Sequence, residues 1–213
     1  MLKKTKRINA IIAEEKIKEV NLKLFTILDY KRILGIDYEL AKRSISRYTQ
    51  RGFIIKARKG LYFFKNNSPH EFEIANKVYQ PSYISFETAL SFYGIIPETI
   101  YEVISASSRT TRSFNVNNIK YSYKKIKKNC FNGYKPIKIK DATILIAEPE
   151  KALVDYLYLV VLGKRKLAYE RIDLSKIKKT KLLNYANQFQ KKKIKEIINN
   201  FYAESRRNQR IIY

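Results

Sequence analysis

The chain has 213 residues, enough for one large domain or two small ones with a real core. It carries 44 Lys and Arg against 19 Asp and Glu, a formal charge of +25, so its field favours polyanions: nucleic acid first, an anionic membrane surface second. One cysteine, Cys130, excludes an intramolecular disulfide, and one histidine, His70, without a His/Cys cluster argues against structural zinc.

Lys, Ile, Asn and Tyr are abundant throughout, as an A/T-rich genome would produce, so the position of the charge says more than its sum. The N-terminus, MLKKTKRINAIIAEEK, is basic, but Glu14 and Glu15 break its short apolar run, which does not read as a signal peptide. The longest apolar block, Tyr156 to Leu162, is far short of a membrane span. The expectation is a cytoplasmic protein that binds no membrane and needs no cofactor.

Lys3 to Val20 sets Ile8, Ile11, Ile12 and Ile17 among charges, which predicts an amphipathic helix. Leu24-Phe25-Thr26 predicts a short strand. Asp29 to Leu34 predicts a short helix with Asp29 as its cap and Gly35 as its end. Leu34-Gly35-Ile36 then turns into a second helix, Asp37–Gln50, capped by Asp37 and stopped at Gly52. Leu40, Ala41, Ile45 and Tyr48 share one face of it; Lys42, Arg43, Ser46, Arg47 and Gln50 share the other.

Phe53-Ile54-Ile55 and Leu61–Phe64 are β-branched or aromatic and predict two strands. Lys56-Ala57-Arg58-Lys59-Gly60 lies between them as a basic tip with Gly60 in the turn. Helix, strand, short helix, turn, second helix and hairpin is the order of a winged helix-turn-helix. A basic-faced helix enters the major groove, and a cationic hairpin lies along the phosphates or in the minor groove. The DNA-contacting residues expected are Tyr38, Lys42, Arg43, Ser46 and Arg47 on the helix and Lys56, Arg58 and Lys59 on the hairpin. Residues 1–68 hold 17 Lys/Arg and 6 Asp/Glu, a net of 17 − 6 = +11. Asn66-Asn67-Ser68-Pro69 is turn-rich, and the domain boundary is placed there: 1–68 for DNA binding, 69–213 for a C-terminal domain.

The second region opens with a predicted helix from Glu71 to Tyr79, then an extended Pro81–Ile84. Ser85 is expected to cap a helix through Tyr93. Strands are predicted at Tyr101–Ala106, Ser113–Val116, Ile119–Tyr123, Ile137–Lys140 and Ala142–Ala147, with Asn117-Asn118 as a tight turn. Pro149 suits the first position of a helix reaching Leu162, whose face Ala152, Leu153, Tyr156, Leu157, Val160 and Val161 is the expected spine. Within it, Lys151 and Asp155 are spaced to pair, and Glu150 sits in the first turn where a carboxylate favours the dipole. Helices near Ser175–Gln188 and Lys191–Tyr202 close the chain. Leu174 to Lys195 holds eight Lys and no acid, a second basic surface or a solvated face. The fold class is α+β, with an N-terminal winged helix-turn-helix and a mixed α/β C-terminal domain ending in helices.

Three phrases carry a resemblance: RGFIIKARKGLYFF (Arg51–Phe64), PSYISFETALSFYGIIPE (Pro81–Glu98) and IAEPEKALVDYLYL (Ile146–Leu159). In order and spacing they resemble the AbiEi family of antitoxins, transcriptional regulators of type IV toxin–antitoxin and abortive-infection (phage defence) systems. The matching positions are Arg58 and Gly60-Leu61-Tyr62; Pro81, Tyr83, Ile84, Ser85, Glu87, Ala89, Leu90, Tyr93 and Gly94; and Glu150, Lys151, Ala152, Leu153 and Asp155. The resemblance implies a repressor that binds inverted repeats in its own promoter. It also implies a C-terminal domain that counteracts a nucleotidyltransferase-like toxin encoded beside it, without a stable complex.

There is no Walker-type or dinucleotide glycine loop, and no Ser-His-Asp set away from His70, so no enzyme is expected. Two alternatives stand beside the regulator: a nucleic-acid-binding protein without sequence preference, and a metal-dependent nuclease using Asp141, Glu148 and Glu150. The acid–x–Lys ending usual for the second is absent, because Glu150 and Lys151 are adjacent.

Overall fold

The computed structural model describes residues 9–166 and 172–211, the side chains of 204–211 excepted. It divides into two compact units, residues 1–74 with 115–118, and residues 75–114 with 119–213. The architecture is α+β: N-terminal helices, a β-hairpin, a mixed sheet, then C-terminal helices.

The first unit contains α1 (Ala10–Glu19), α2 (Ile27–Leu34), α3 (Tyr38–Gln50), β1 (Ile54–Arg58) and β2 (Leu61–Phe64). The Lys3–Ile8 part of the first expected helix lies outside the described residues. Helix α2 starts two residues earlier than its pattern suggests. Thr26 is the cap, and Asp29 is the third helical residue, closing a capping box back onto Thr26. Gly35 ends α2 at φ 63°. Asp37 caps α3 by accepting from the Leu40 amide at 2.8 Å. Phe25 does not start a regular strand. It makes a single antiparallel bridge to Tyr62, with both backbone hydrogen bonds at 2.9 Å. Its ring is fully buried, 5.7 Å from Tyr30 and 5.5 Å from Phe64. Burying such a ring stabilises by roughly 1.5–3 kcal/mol. It ties the hairpin to a core of Ala13, Ile17, Ala41, Ile45, Tyr48 and Ile54.

The second unit is built on a six-stranded sheet ordered β5-β6-β4-β3-β8-β7. The strands are β3 (Ser82–Ile84), β4 (Glu102–Ser107), β5 (Arg112–Val116), β6 (Ile119–Lys125), β7 (Tyr134–Ile139) and β8 (Ala142–Ala147). β3 pairs antiparallel with β4 and parallel with β8; β4 and β6 are parallel; β7 and β8 are antiparallel. The short Pro81–Ile84 run is thus a central strand. The helices are α4 (Glu71–Val78), whose first four residues fall in the first unit, α5 (Phe86–Phe92), α6 (Pro149–Val161), α7 (Lys179–Gln188) and α8 (Lys192–Ile211). α6 packs against α5, α7 and α8. Every residue from Glu150 to Leu159 is buried, so α6 is enclosed on all sides rather than along one stripe. Val160 and Val161, expected in its apolar face, are only half-buried.

Candidate nucleic-acid interface

Helix α3 and the β1–β2 hairpin border a cleft of about 330 Å³ lined by Ile27, Lys42, Ile45, Ser46, Thr49, Gln50, Lys56 and Tyr62. Three residues expected to meet DNA, Lys42, Ser46 and Lys56, therefore face one concave surface. All three are exposed. Thr49 is held by a hydrogen bond from its hydroxyl to the Ile45 carbonyl at 2.9 Å. Thr49, Gln50 and Tyr62 complete the lining. Tyr62 stands opposite Lys56 in the strand register.

The remaining expected contacts stand on other parts of this surface. Tyr38 is 43% exposed in the first turn of α3. Arg43 is exposed, its Nε donating to the Glu39 carbonyl at 3.3 Å, which orients the side chain along the helix. Arg58 and Lys59 are exposed at the hairpin end, where an Arg58 guanidinium nitrogen donates to the Lys59 carbonyl at 3.2 Å.

Two of these residues sit differently from their place in the sequence pattern. Arg47 is half-buried, and its guanidinium lies 4.9 Å from the centre of the Tyr48 ring and donates to the Tyr48 hydroxyl at 3.2 Å. The reason is Ser44. It is buried and hydrogen-bonded to the Tyr30 hydroxyl at 3.2 Å. At about 100° per residue, Arg47 sits only about 60° around the helix from Ser44, at the edge of the packed face. Lys56 is not part of a loose tip. β1 runs through to Arg58 with an irregularity between Lys56 and Arg58, Ala57 is buried, and the turn is only Lys59-Gly60, with Gly60 at φ 79°.

A second cluster lies inside the other unit. Lys151 and Asp155 pair one turn apart on α6 with both side chains fully buried. Asp155 also accepts from the Tyr83 hydroxyl at 3.0 Å and the Ser85 hydroxyl at 2.8 Å. Ser85 precedes α5 but makes no cap with its side chain, which is spent on Asp155 instead. The Lys151 ammonium lies 5.0 Å from the Phe189 ring and 5.6 Å from the Tyr83 ring. Burial raises the Asp155 carboxyl above its ordinary range, against the pull of Lys151, Ser85 and Tyr83. Burial likewise pushes Tyr83 well up. Nothing reaches this cluster from solvent, so the arrangement is a polar staple joining α6 to β3 and the start of α5.

The carboxylates considered for a metal are arranged differently. Glu148 is bonded to Lys181 at 2.8 Å and to the Tyr185 hydroxyl, and Glu150 accepts from the Lys178 amide at 3.1 Å. Among the described residues no group of three His, Cys, Asp or Glu side chains is placed to hold a metal ion. No described helix is long and apolar enough to cross a membrane. No family model matches the chain, and no curated protein matches it.

Proposed function

We propose that this chain is a DNA-binding transcriptional repressor and antitoxin of a type IV toxin–antitoxin, abortive-infection system. In this reading residues 1–68 form a winged helix-turn-helix with α3 as recognition helix and the β1–β2 hairpin as wing, and they bind inverted repeats in the chain's own promoter. Residues 69–213 counteract a nucleotidyltransferase-like toxin without forming a stable complex. The observation that carries the reading is the shared cleft: α3 presents Lys42 and Ser46, with Arg43 beside them, and the hairpin presents Lys56 to the same opening. The three phrases that resemble the AbiEi antitoxins support the rest.

The roles divide by geometry. Arg43 and Lys42, in the first half of α3, read base edges; an arginine does so through two hydrogen bonds to guanine. Lys56, Arg58 and Lys59 hold phosphates. Three cations on phosphates give a slope of log affinity against log salt of about −3, far below what the whole +25 would give. Binding isotherms on the upstream region and on a scrambled duplex, at several salt concentrations, test this. Arg43→Ala costs about 1–3 kcal/mol on the specific site and much less on the scrambled one. Lys59→Ala weakens both alike and flattens the slope by about one. Equal losses on both duplexes for Arg43→Ala would mean binding without sequence preference. For the antitoxin half, expressing this chain restores growth to cells expressing the nucleotidyltransferase encoded beside it; no rescue refutes that half.

A further inference from the structure

We propose that the second unit carries a phosphoryl-binding site, separate from the DNA-facing surface, in the pocket formed by Thr111, Lys124, Lys125, Lys164 and Arg165. The pocket measures about 110 Å³ and lies between the ends of β5 and β6 and the residues that follow α6, with Leu159 as its apolar wall. That is below the roughly 300–1,000 Å³ of sites that enclose a drug-sized molecule. It suits a charged headgroup rather than a whole nucleoside.

Among the described residues the lining holds four cations and no carboxylate. Arg165 is oriented from behind, its Nε donating to Glu87 at 2.6 Å. Lys124, Lys125 and Lys164 have no carboxylate within ion-pair distance among the described residues. Lys124 is half-buried, and burial first and the Arg165 charge second hold its ammonium below the ordinary lysine range. The pocket is therefore a place where like charges are crowded beside a low-dielectric wall, and a multiply charged anion relieves that repulsion.

Thr111 adds a directed donor. Its hydroxyl oxygen already accepts from the Lys125 amide at 3.1 Å, so its proton is available to a ligand oxygen. Four cations and one hydroxyl match the several oxygens and roughly double charge of a phosphoryl group. That group belongs either to a free nucleotide or to the backbone of a nucleic-acid strand.

Titration calorimetry on the full chain tests the site, with sodium pyrophosphate, ATP and a scrambled single-stranded oligonucleotide as probes at about 50 mM salt. Wild-type protein binds pyrophosphate saturably, one to one. Lys125→Gln with Lys164→Gln removes two exposed charges and weakens pyrophosphate about tenfold or more. Lys191→Gln with Lys193→Gln removes the same charge from exposed positions at the start of α8 and changes it by less than about twofold. Thr111→Val gives a loss with no change in charge. Arg43→Ala leaves pyrophosphate binding unchanged, which separates this site from the proposed DNA interface. Loss of ATP affinity alone assigns a free nucleotide; loss of oligonucleotide affinity as well assigns a strand. Absence of saturable pyrophosphate binding, or equal losses in the two double variants, overturns the proposal.

Discussion

The buried pair on α6 makes the sharpest stability prediction. Lys151 and Asp155 are both withdrawn completely from water, so each relies on the other for its charge. Asp155→Asn keeps the shape and leaves Tyr83 and Ser85 an oxygen to donate to, but strands the ammonium between two rings. The cost is about 3–5 kcal/mol, that of breaking a buried pair from one side. Lys151→Met strands the carboxylate, which escapes by taking up a proton. At pH 7 that escape caps the charge penalty at about 4 kcal/mol, and at pH 5 at about 1.5 kcal/mol, taking an ordinary aspartate value near 3.9. The sign follows from proton counting. A buried, raised carboxyl makes the folded state bind more protons than the unfolded one, so the variant loses stability as pH rises. Lys151→Met is therefore closer to wild type at pH 5 than at pH 7, by up to about 2.5 kcal/mol. Urea unfolding of the full chain, followed by circular dichroism at both pH values, measures it. An Asp155→Asn cost under about 1 kcal/mol, or a Lys151→Met deficit equal at the two pH values, refutes the staple.

Three smaller changes test the surroundings. Thr26→Ala removes one half of the capping box at α2 and costs about 1 kcal/mol, read from the unfolding midpoint. Gly133 sits at φ 72°, and a methyl group there would meet the Tyr185 ring at 2.6 Å. Gly133→Ala thus costs about 1–3 kcal/mol, read from the urea midpoint, because the Tyr185 ring bonded to Glu148 has to shift. Burial raises the Glu148 carboxyl, but the hydrogen bonds and charge of Lys181 and Tyr185 outweigh it and hold it below its ordinary value. Its stabilisation is present above the carboxylate range and is lost as pH falls through the lowered value. Glu148→Gln flattens this acid limb by less than about 1 kcal/mol, because Lys181 is 40% exposed.

Patterns that report on one element were legible in the sequence. Asp37, Gly35, Pro149 and the apolar face of α3 each act through neighbours within a turn, and β8 runs over Ala142–Ala147, the bounds expected for it. What escaped depends on partners distant in the chain. Ser85 reads as a cap but answers to Asp155, 70 residues later. Ser44 looks like surface until Tyr30 is placed against it. Pro81–Ile84 is too short to show that strands flank it on both sides, and its burial comes from β4 and β8. The cleft beside α3 was half visible: spacing placed Lys42 and Ser46 on the polar face, while the contribution of Tyr62 depends on how β2 meets the Phe25 bridge.

The charge of this chain illustrates why a sum is a weak guide to function. Two groups of its lysines contrast. Lys151, Lys181, Lys176 and Lys127 are committed: to a buried carboxylate, to Glu148, and to carbonyls of Gly94 and Phe189. These hold the second unit together and give a polyanion little to bind. Lys42, Lys56 and Lys59 project to water around one cleft and its hairpin, with no carboxylate in ion-pair distance among the described residues. Codon bias can supply lysine, but it does not sort lysines into these two groups; packing does. On the proposed DNA-binding reading, a variant series that removes surface charge at random outside the Thr111–Arg165 pocket leaves affinity for the promoter almost unchanged until it reaches α3 or the hairpin. Affinity then falls in steps, each hairpin cation removing about one unit from the salt slope.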